Sequence, residues 1–269
     1  MAVDLQAGEF FGSTTSEHIA GVVLSIVRHE REQRLPPHTH ALPFLCLLLE
    51  GRYEEEAAGH RVQYEPLTLV FHPRRLEHSD VVYPDSRMFT VEFDDAWNET
   101  LAQYAPRGHS LYTHTGADPL WIMLRLYEAL RDRTLSDLTV QTLTYEIIGS
   151  FHRLETAEEA APPWLRGLRS LLDERYMESL DIRALAREVG VHPVHLSRTF
   201  RRAYKVNAGD YVHRRRVQQA CRLLRESRSS IATIAEELGY ADQSHFSRVF
   251  RSVTGTTPGR YRASNVTAH

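Results

Sequence analysis

Ten side chains in this sequence carry groups that read nucleic-acid bases, and they come in two matched sets. Val194, His195, Ser197, Arg198 and Arg201 form the first; Gln243, Ser244, Ser247, Arg248 and Arg251 form the second. Arginine can donate two parallel hydrogen bonds to guanine and glutamine can bond adenine twice. Serine suits a base edge or a phosphate, and valine can pack on a thymine methyl. A third group lies far upstream. His38, His40 and His78 offer three imidazoles, suited to zinc, iron, nickel or copper with one position left open.

What must position the first two sets is a duplicated helix pair. Ile182, Leu185, Ala186 and Val189 follow the three-four rhythm of one helix face, and Ile231, Ile234, Ala235 and Leu238 repeat it. Gly190 and Gly239 end these runs, where a left-handed residue closes a helix at little cost. A second helix then opens on Pro193, suited to the first helical position, or after Asp242, a good N-cap. Leu196 with Phe200, and Phe246 with Phe250, sit four apart and should face a core, which leaves both candidate sets pointing outward. Between the copies, Asp210 to Glu226 reads as one long helix with Val212, Val217, Ala220, Leu223 and Leu224 as its inner stripe. Its roughly 17 residues span about 25 Å. Successive major grooves on one face of DNA lie about 34 Å apart, so side chains at both ends can bridge that distance.

The stretch from about Trp164 to Arg262 resembles the DNA-binding domain of the AraC/XylS family of transcriptional regulators. The second copy, IATIAEELGYADQSHFSRVFRSVTGTTPGRYR, carries the likeness through its GY, FSRxF and G-x-x-P-x-x-YR elements. The resemblance implies two helix-turn-helix units joined by a long helix and entering adjacent major grooves of double-stranded DNA. It also implies a homodimer, with RNA polymerase as a candidate second protein partner. The first copy departs at its end, with Lys205 and Ala208 where the second has Gly255 and Pro258.

Charge divides the chain in the same place. The formal net charge is −3, yet residues from Trp164 onward hold 19 Lys+Arg against 10 Asp+Glu, and those before it hold 13 against 25. The basic half is the nucleic-acid candidate. Cys46 and Cys221 are too few and too distant in sequence for a disulfide framework. No secretory leader is expected, and no apolar run reaches the ~18 residues of a membrane span. A cytoplasmic protein with no membrane partner is expected.

Residues 1 to 17 read as an irregular arm. From His18 to about Phe93 short apolar runs alternate with turn residues. Strands are expected at Ile19–Val27, Pro43–Leu49, Arg52–Glu56, Arg61–Tyr64, Thr68–Phe71, Ser79–Tyr83 and Met88–Phe93. Such spacing predicts an antiparallel sandwich or barrel. Within it, PPHTHALPFLCLLLEG resembles the first motif of a cupin barrel. His38, His40 and Gly51 fit that motif, and Phe44 stands where it has glutamate. Pro73, Arg75 and His78 echo the second motif, with arginine in place of its glycine. The histidines then either line and support a pocket or hold a divalent transition metal. His29, His60 and His72 have no motif support and read as surface or turn residues. A small-molecule effector in the barrel would meet His38, His40, His78 and Phe44, with Phe71 as further apolar wall. Arg34, Arg74 and Arg75 could contact an anionic group on it.

From Pro119 to about Glu159 the period becomes helical. One stripe is Leu120, Leu124, Tyr127 and Leu130; another is Leu143, Ile147, Phe151 and Leu154. The helices either pack onto the barrel or form a dimer interface, for which the second stripe is the candidate, and the two readings are compatible if one stripe faces inward and the other a partner. Residues 157–163 contain EEAAPP and read as a hinge. The expected fold class is α+β in two domains: a cupin-like antiparallel β-barrel with dimerisation helices over 1–156, a linker over 157–163, and an all-α tandem helix-turn-helix over 164–269. The function expected is a ligand-controlled DNA-binding regulator rather than an enzyme. A constitutive DNA binder whose barrel only dimerises, and a metal-dependent cupin enzyme with a regulatory domain, are the alternatives.

Overall fold

The computed structural model describes residues 2–64, 66–104, 112–114, 118–204 and 206–266. The chain divides into two compact units, residues 1–152 and 153–269.

The first unit opens with eleven strands: β1 (Val3–Leu5), β2 (Ser13–Ile19), β3 (Val22–His29), β4 (Gln33–Arg34), β5 (His38–His40), β6 (Phe44–Glu50), β7 (Tyr53–Ala57), β8 (His60–Tyr64), β9 (Leu69–His72), β10 (His78–Val82) and β11 (Ser86–Phe93). After them come α1 (Asn98–Tyr104), β12 (Tyr112–His114), α2 (Asp118–Arg131) and α3 (Asp137–Ala160). One sheet runs in the order β1-β5-β10-β7-β8 with β4 on β10, and the other in the order β12-β9-β6-β11-β3-β2. Among the described residues no strand pairing joins the two sheets, so the expected closed barrel is instead a pair of open, facing sheets. Alternation says which side chains point inward, but it cannot say whether edge strands meet.

Strand parity builds the space between the sheets. Phe44, Cys46 and Leu48 of β6 share one core with Tyr53, Tyr64, Val82 and Met88. Leu45 and Leu47 point the other way and are fully buried too. That outer face is covered by helix, with Tyr127 of α2 lying 5.5 Å from Phe89 of β11. Two-sided burial explains why β6 reads as a continuous apolar run. Leu143, Ile147 and Phe151 of α3 are only 6%, 0% and 1% exposed. These three residues of the stripe are therefore buried within the single chain, as a helix that turns its most apolar face inward would have them. The side chain of Leu154 lies outside the described residues.

Gly51 turns β6 into β7 with φ +76°, and a Cβ there would fall 2.5 Å from Ser86 Cα. Gly51→Ala is expected to destabilise this unit by about 2–4 kcal/mol through strain and overlap with backbone. Urea denaturation of the full chain should show the first unit's transition at lower denaturant, with the second unit's unchanged.

The second unit holds α4 (Pro163–Glu174), α5 (Ile182–Glu188), α6 (Pro193–Tyr204), α7 (Ala208–Glu226), α8 (Ile231–Glu237), α9 (Gln243–Thr254) and α10 (Pro258–Val266). Caps match their sequence signals. Asp181 accepts from the backbone N–H groups of Arg183 and Ala184, Ser230 accepts from Thr233, and Asp242 accepts from His245. Gly190 and Gly239 adopt φ +72° and +70° after α5 and α8. Helix α7, 19 residues or about 28 Å long, packs against α4, α6, α8, α9 and α10. The expected linker is largely helical: α3 runs to Ala160, and Ala161 is buried in the core around Leu165, Leu196 and Phe200.

Candidate nucleic-acid interface and inter-sheet cavity

Helices α6 and α9 each bury one face and expose another. Leu196 and Phe200, like Phe246 and Phe250, are fully buried. Val194 is 52% exposed, and His195, Ser197, Arg198, Arg201, Gln243, Ser244, Arg248 and Arg251 are exposed with it. Ser247 is half-buried. His245 is half-buried too, with its ring 5.4 Å from Tyr240 and 5.7 Å from His213. His195 lies 5.4 Å from Trp164. Arg202, absent from the expected set, is exposed beside Arg201. Two arginine-rich faces, each on a rigid helix, suit the depth of a major groove.

The residue that ties the two pairs together was not legible. Arg216 of α7 is only 7% exposed, and its guanidinium donates to three backbone carbonyls. These are Tyr176 at 2.7 Å and Glu178 at 2.8 Å, in the turn before α5, and Gly239 at 2.9 Å, in the turn after α8. Burial lowers its pKa from the usual guanidinium range. Within HRRR an arginine reads as solvated. Only its distance from Val212 and Ala220, four residues on either side, marks it as inward-facing.

In the first unit the structure gathers five histidines around one cavity, His29 among them. His38, His40, His72 and His78 are all buried and line this cavity between the sheets, with Phe10, Phe11 and Phe44 among its walls. Phe10 stands 5.0 Å from His40, and Phe11 meets His38 edge-on at 5.0 Å. His72 is therefore not the surface residue expected. It stacks on Phe44 at 4.2 Å, and its Nε2 is 3.2 Å from the Glu55 carboxylate. His29 is buried as well, while His60 is exposed. Arg34, Arg74 and Arg75 do not line the cavity: they lie in an edge strand and a turn, and Arg74 instead pairs with Asp95 at 3.2 Å. Phe71 is also outside the lining, because it has the opposite parity to His72 on β9.

Glu55 and Asp80 are the acids the sequence reading passed over. Once pairing fixes the parity both turn inward, Glu55 with Tyr53 and Ala57, and Asp80 with His78 and Val82. Burial pushes the Asp80 carboxyl well above its ordinary range, with Glu55 adding to the effect. Burial also raises Glu55, but the charge and hydrogen bond of His72 outweigh it and bring the group below the usual value. Desolvation, reinforced by neighbouring imidazoles, lowers His40 to about 2 and His78 to about 4, and lowers His38 too. These three rings are neutral near pH 7, the form that ligates metal without losing a proton. One donor atom each from His38, His40 and His78 falls within 4.8 Å of the others, so the residues fit a divalent transition metal.

Among the described residues no helix is long and apolar enough to cross a membrane. A family model described as a helix-turn-helix domain matches residues 185–264. Regulatory protein SoxS of Escherichia coli is 37% identical over 98 residues, 36% of this chain and 92% of that protein. The arabinose operon regulatory protein of Escherichia coli is 33% identical over 116 residues, and the chain spans only 40% of its length. Among solved structures, ToxT from Vibrio cholerae aligns over 90% of this chain and 97% of its own, at 12% identity and a TM-score of 0.39. The matched relatives share the paired helix-turn-helix region, and nearly the whole of SoxS is covered: the chain belongs to the AraC family of transcriptional regulators.

Proposed function

We propose that this chain is a sequence-specific DNA-binding transcriptional regulator and not an enzyme, controlled by a small ligand held in a cupin-like first unit. The observation that carries the reading is the pair of exposed faces on α6 and α9, mounted on one continuous helix. Arg198 of α6, and Gln243, Ser244 and Arg248 of α9, read base edges in adjacent major grooves, and Val194 adds an apolar contact. Arg201, Arg202 and Arg251, a turn further along, hold phosphates and set register. Double-stranded DNA is the principal partner; a second copy of the chain and RNA polymerase are the protein partners. Residues 1–156 sense, 157–163 join and 164–269 read. A ligand acts to the extent that it binds the DNA-competent arrangement better than the incompetent one.

Preferred sites selected from random duplexes with the full chain provide the test. Arg198→Ala and Arg248→Ala are each expected to lose about 1–3 kcal/mol of discrimination at a single base pair, read by fluorescence anisotropy on duplexes changed one position at a time. Affinity should fall as salt rises. A uniform loss at every position would make the residue a phosphate contact, and no preference of the wild-type chain over random duplex would overturn the reading.

A further inference from the structure

The cavity between the sheets has an arrangement of lone pairs that protein atoms alone leave unbalanced. His38 Nδ1–H donates to Pro36 O at 2.9 Å, and His78 Nδ1–H donates to Leu76 O at 3.0 Å. In a neutral ring each bond leaves Nε2 as a bare acceptor. Both Nε2 atoms face Asp80 Oδ2, at 3.6 and 3.8 Å. Asp80 Oδ2 can carry at most one proton and so can donate to one of these two acceptors but not to both; in a dry space the other needs a cation. Outer bonds from ring N–H to backbone carbonyl are also what fixes ligating imidazoles in metal sites. His40 Nδ1, fully buried, has no hydrogen-bond partner in the described structure.

A second donor group shares His78. Donor atoms of Glu55, His72 and His78 lie within 4.8 Å of one another. Glu55 is 0% exposed, so its charge sits in low dielectric beside the first group. Phe44, at the position where the cupin motif carries its carboxylate, is the ring against which His72 lies parallel, at an interplanar angle of 4°. The nearby carboxylate of Glu55 belongs to β7 and lies 3.2 Å from His72 Nε2. Space decides what class of ligand fits. The cavity is about 50 Å³, enough for an ion and a water or so. Organic ligands occupy pockets of roughly 300–1,000 Å³. Imidazole-rich donors select zinc, cobalt, nickel, iron or copper over calcium and magnesium, which take oxygen.

We propose that the ligand of the first unit is a divalent transition-metal ion, held by His38, His40 and His78 with Glu55 as the charge-balancing carboxylate, and that this ion sets the affinity of the second unit for DNA. The proposal rests on the sensor reading given above. Full-length protein stripped with chelator is titrated with Co²⁺, followed by its visible absorption, and with Zn²⁺ in competition. One equivalent is expected to bind. His40→Ala should abolish the spectrum, and His60→Ala, on the surface, should leave it intact. Glu55→Gln should weaken binding roughly 10–100-fold, and Glu55→Asp should restore much of the loss, with circular dichroism confirming each fold. Operator affinity should change about 5–150-fold between stripped and loaded protein.

Wild-type protein that folds, binds its operator and takes up neither ion would overturn the proposal while leaving the DNA reader standing; a proton held between Asp80 and the imidazoles would then fill the gap. Metal uptake unaffected by Glu55→Gln would remove Glu55 from the site. Stoichiometric uptake with unchanged operator affinity would remove the signalling role. Loss of all sequence preference with metal and without it would defeat the regulator reading itself.

Discussion

Replacing Arg216 with methionine is expected to cost the second unit about 3–5 kcal/mol and to lower operator affinity at least about tenfold. Three carbonyls, those of Tyr176, Glu178 and Gly239, depend on its guanidinium. Hydrogen bonds from a charged donor contribute roughly 1.5–3 kcal/mol each, and removing the donor strands the acceptors in a dry place. Part of the loss is offset, because methionine carries no buried charge to desolvate. The aliphatic stem is kept, but the guanidinium carbon that lies 5.7 Å from the Tyr240 ring is lost as well. Arg222→Met on the same helix is the control. Arg222 is 60% exposed and pairs with Glu226 at the surface, at 3.0 Å, a contact of ~0.5 kcal/mol or less. Hydrogen exchange of peptides from α5, α8 and α9 separates the outcomes. Equal protection in the two variants would show that the carbonyl bonds contribute little.

Glu92→Gln is expected to stabilise the first unit by about 2–3 kcal/mol at pH 8 and by nothing at pH 4. Glu92 faces inward on β11, opposite Phe44 of β6, and one oxygen accepts the Gly8 N–H at 2.8 Å. Burial raises its pKa to about 7, with the Gly8 bond acting weakly in the other direction. The folded chain therefore keeps a proton that the unfolded chain releases near 4.5. Between those values the folded state binds more protons, so stability falls as pH rises from about 4.5 to about 7 and then levels off. Glutamine keeps an acceptor for Gly8 and carries no charge at any pH. The difference in melting between the two proteins should open across that window. A difference that stays constant from pH 4 to pH 8 would place the carboxylate in water.

Much of the second unit was legible because its signals are local. Glycine after a helix, aspartate before one and apolar residues three and four apart each act within a turn, and they placed α5, α6, α8 and α9 within a residue or two. Arg216 was not legible because its partners lie 23 to 40 residues away. The first unit shows the same division. Strand β2 escaped notice because STTSEHI lies at an edge and is mostly exposed, with no alternation to betray it. The spacing of His38 and His40 in PPHTHALP is local and plain to read. Glu55 and Asp80 were hidden in charged strands, where an inward acid and an outward one look alike until pairing fixes the parity. The α3 stripe was recognised as apolar, but periodicity gives a helix a hidden side without saying who hides it.

Arg216 grips, from one side chain, the segment leading into the first helix pair and the turn within the second, and α7 runs unbroken between the pairs. The reading heads thus keep a fixed phase. One base pair inserted between their two target elements would swing the distal element around the duplex axis by about 35°, and no bend in the protein is at hand to follow it.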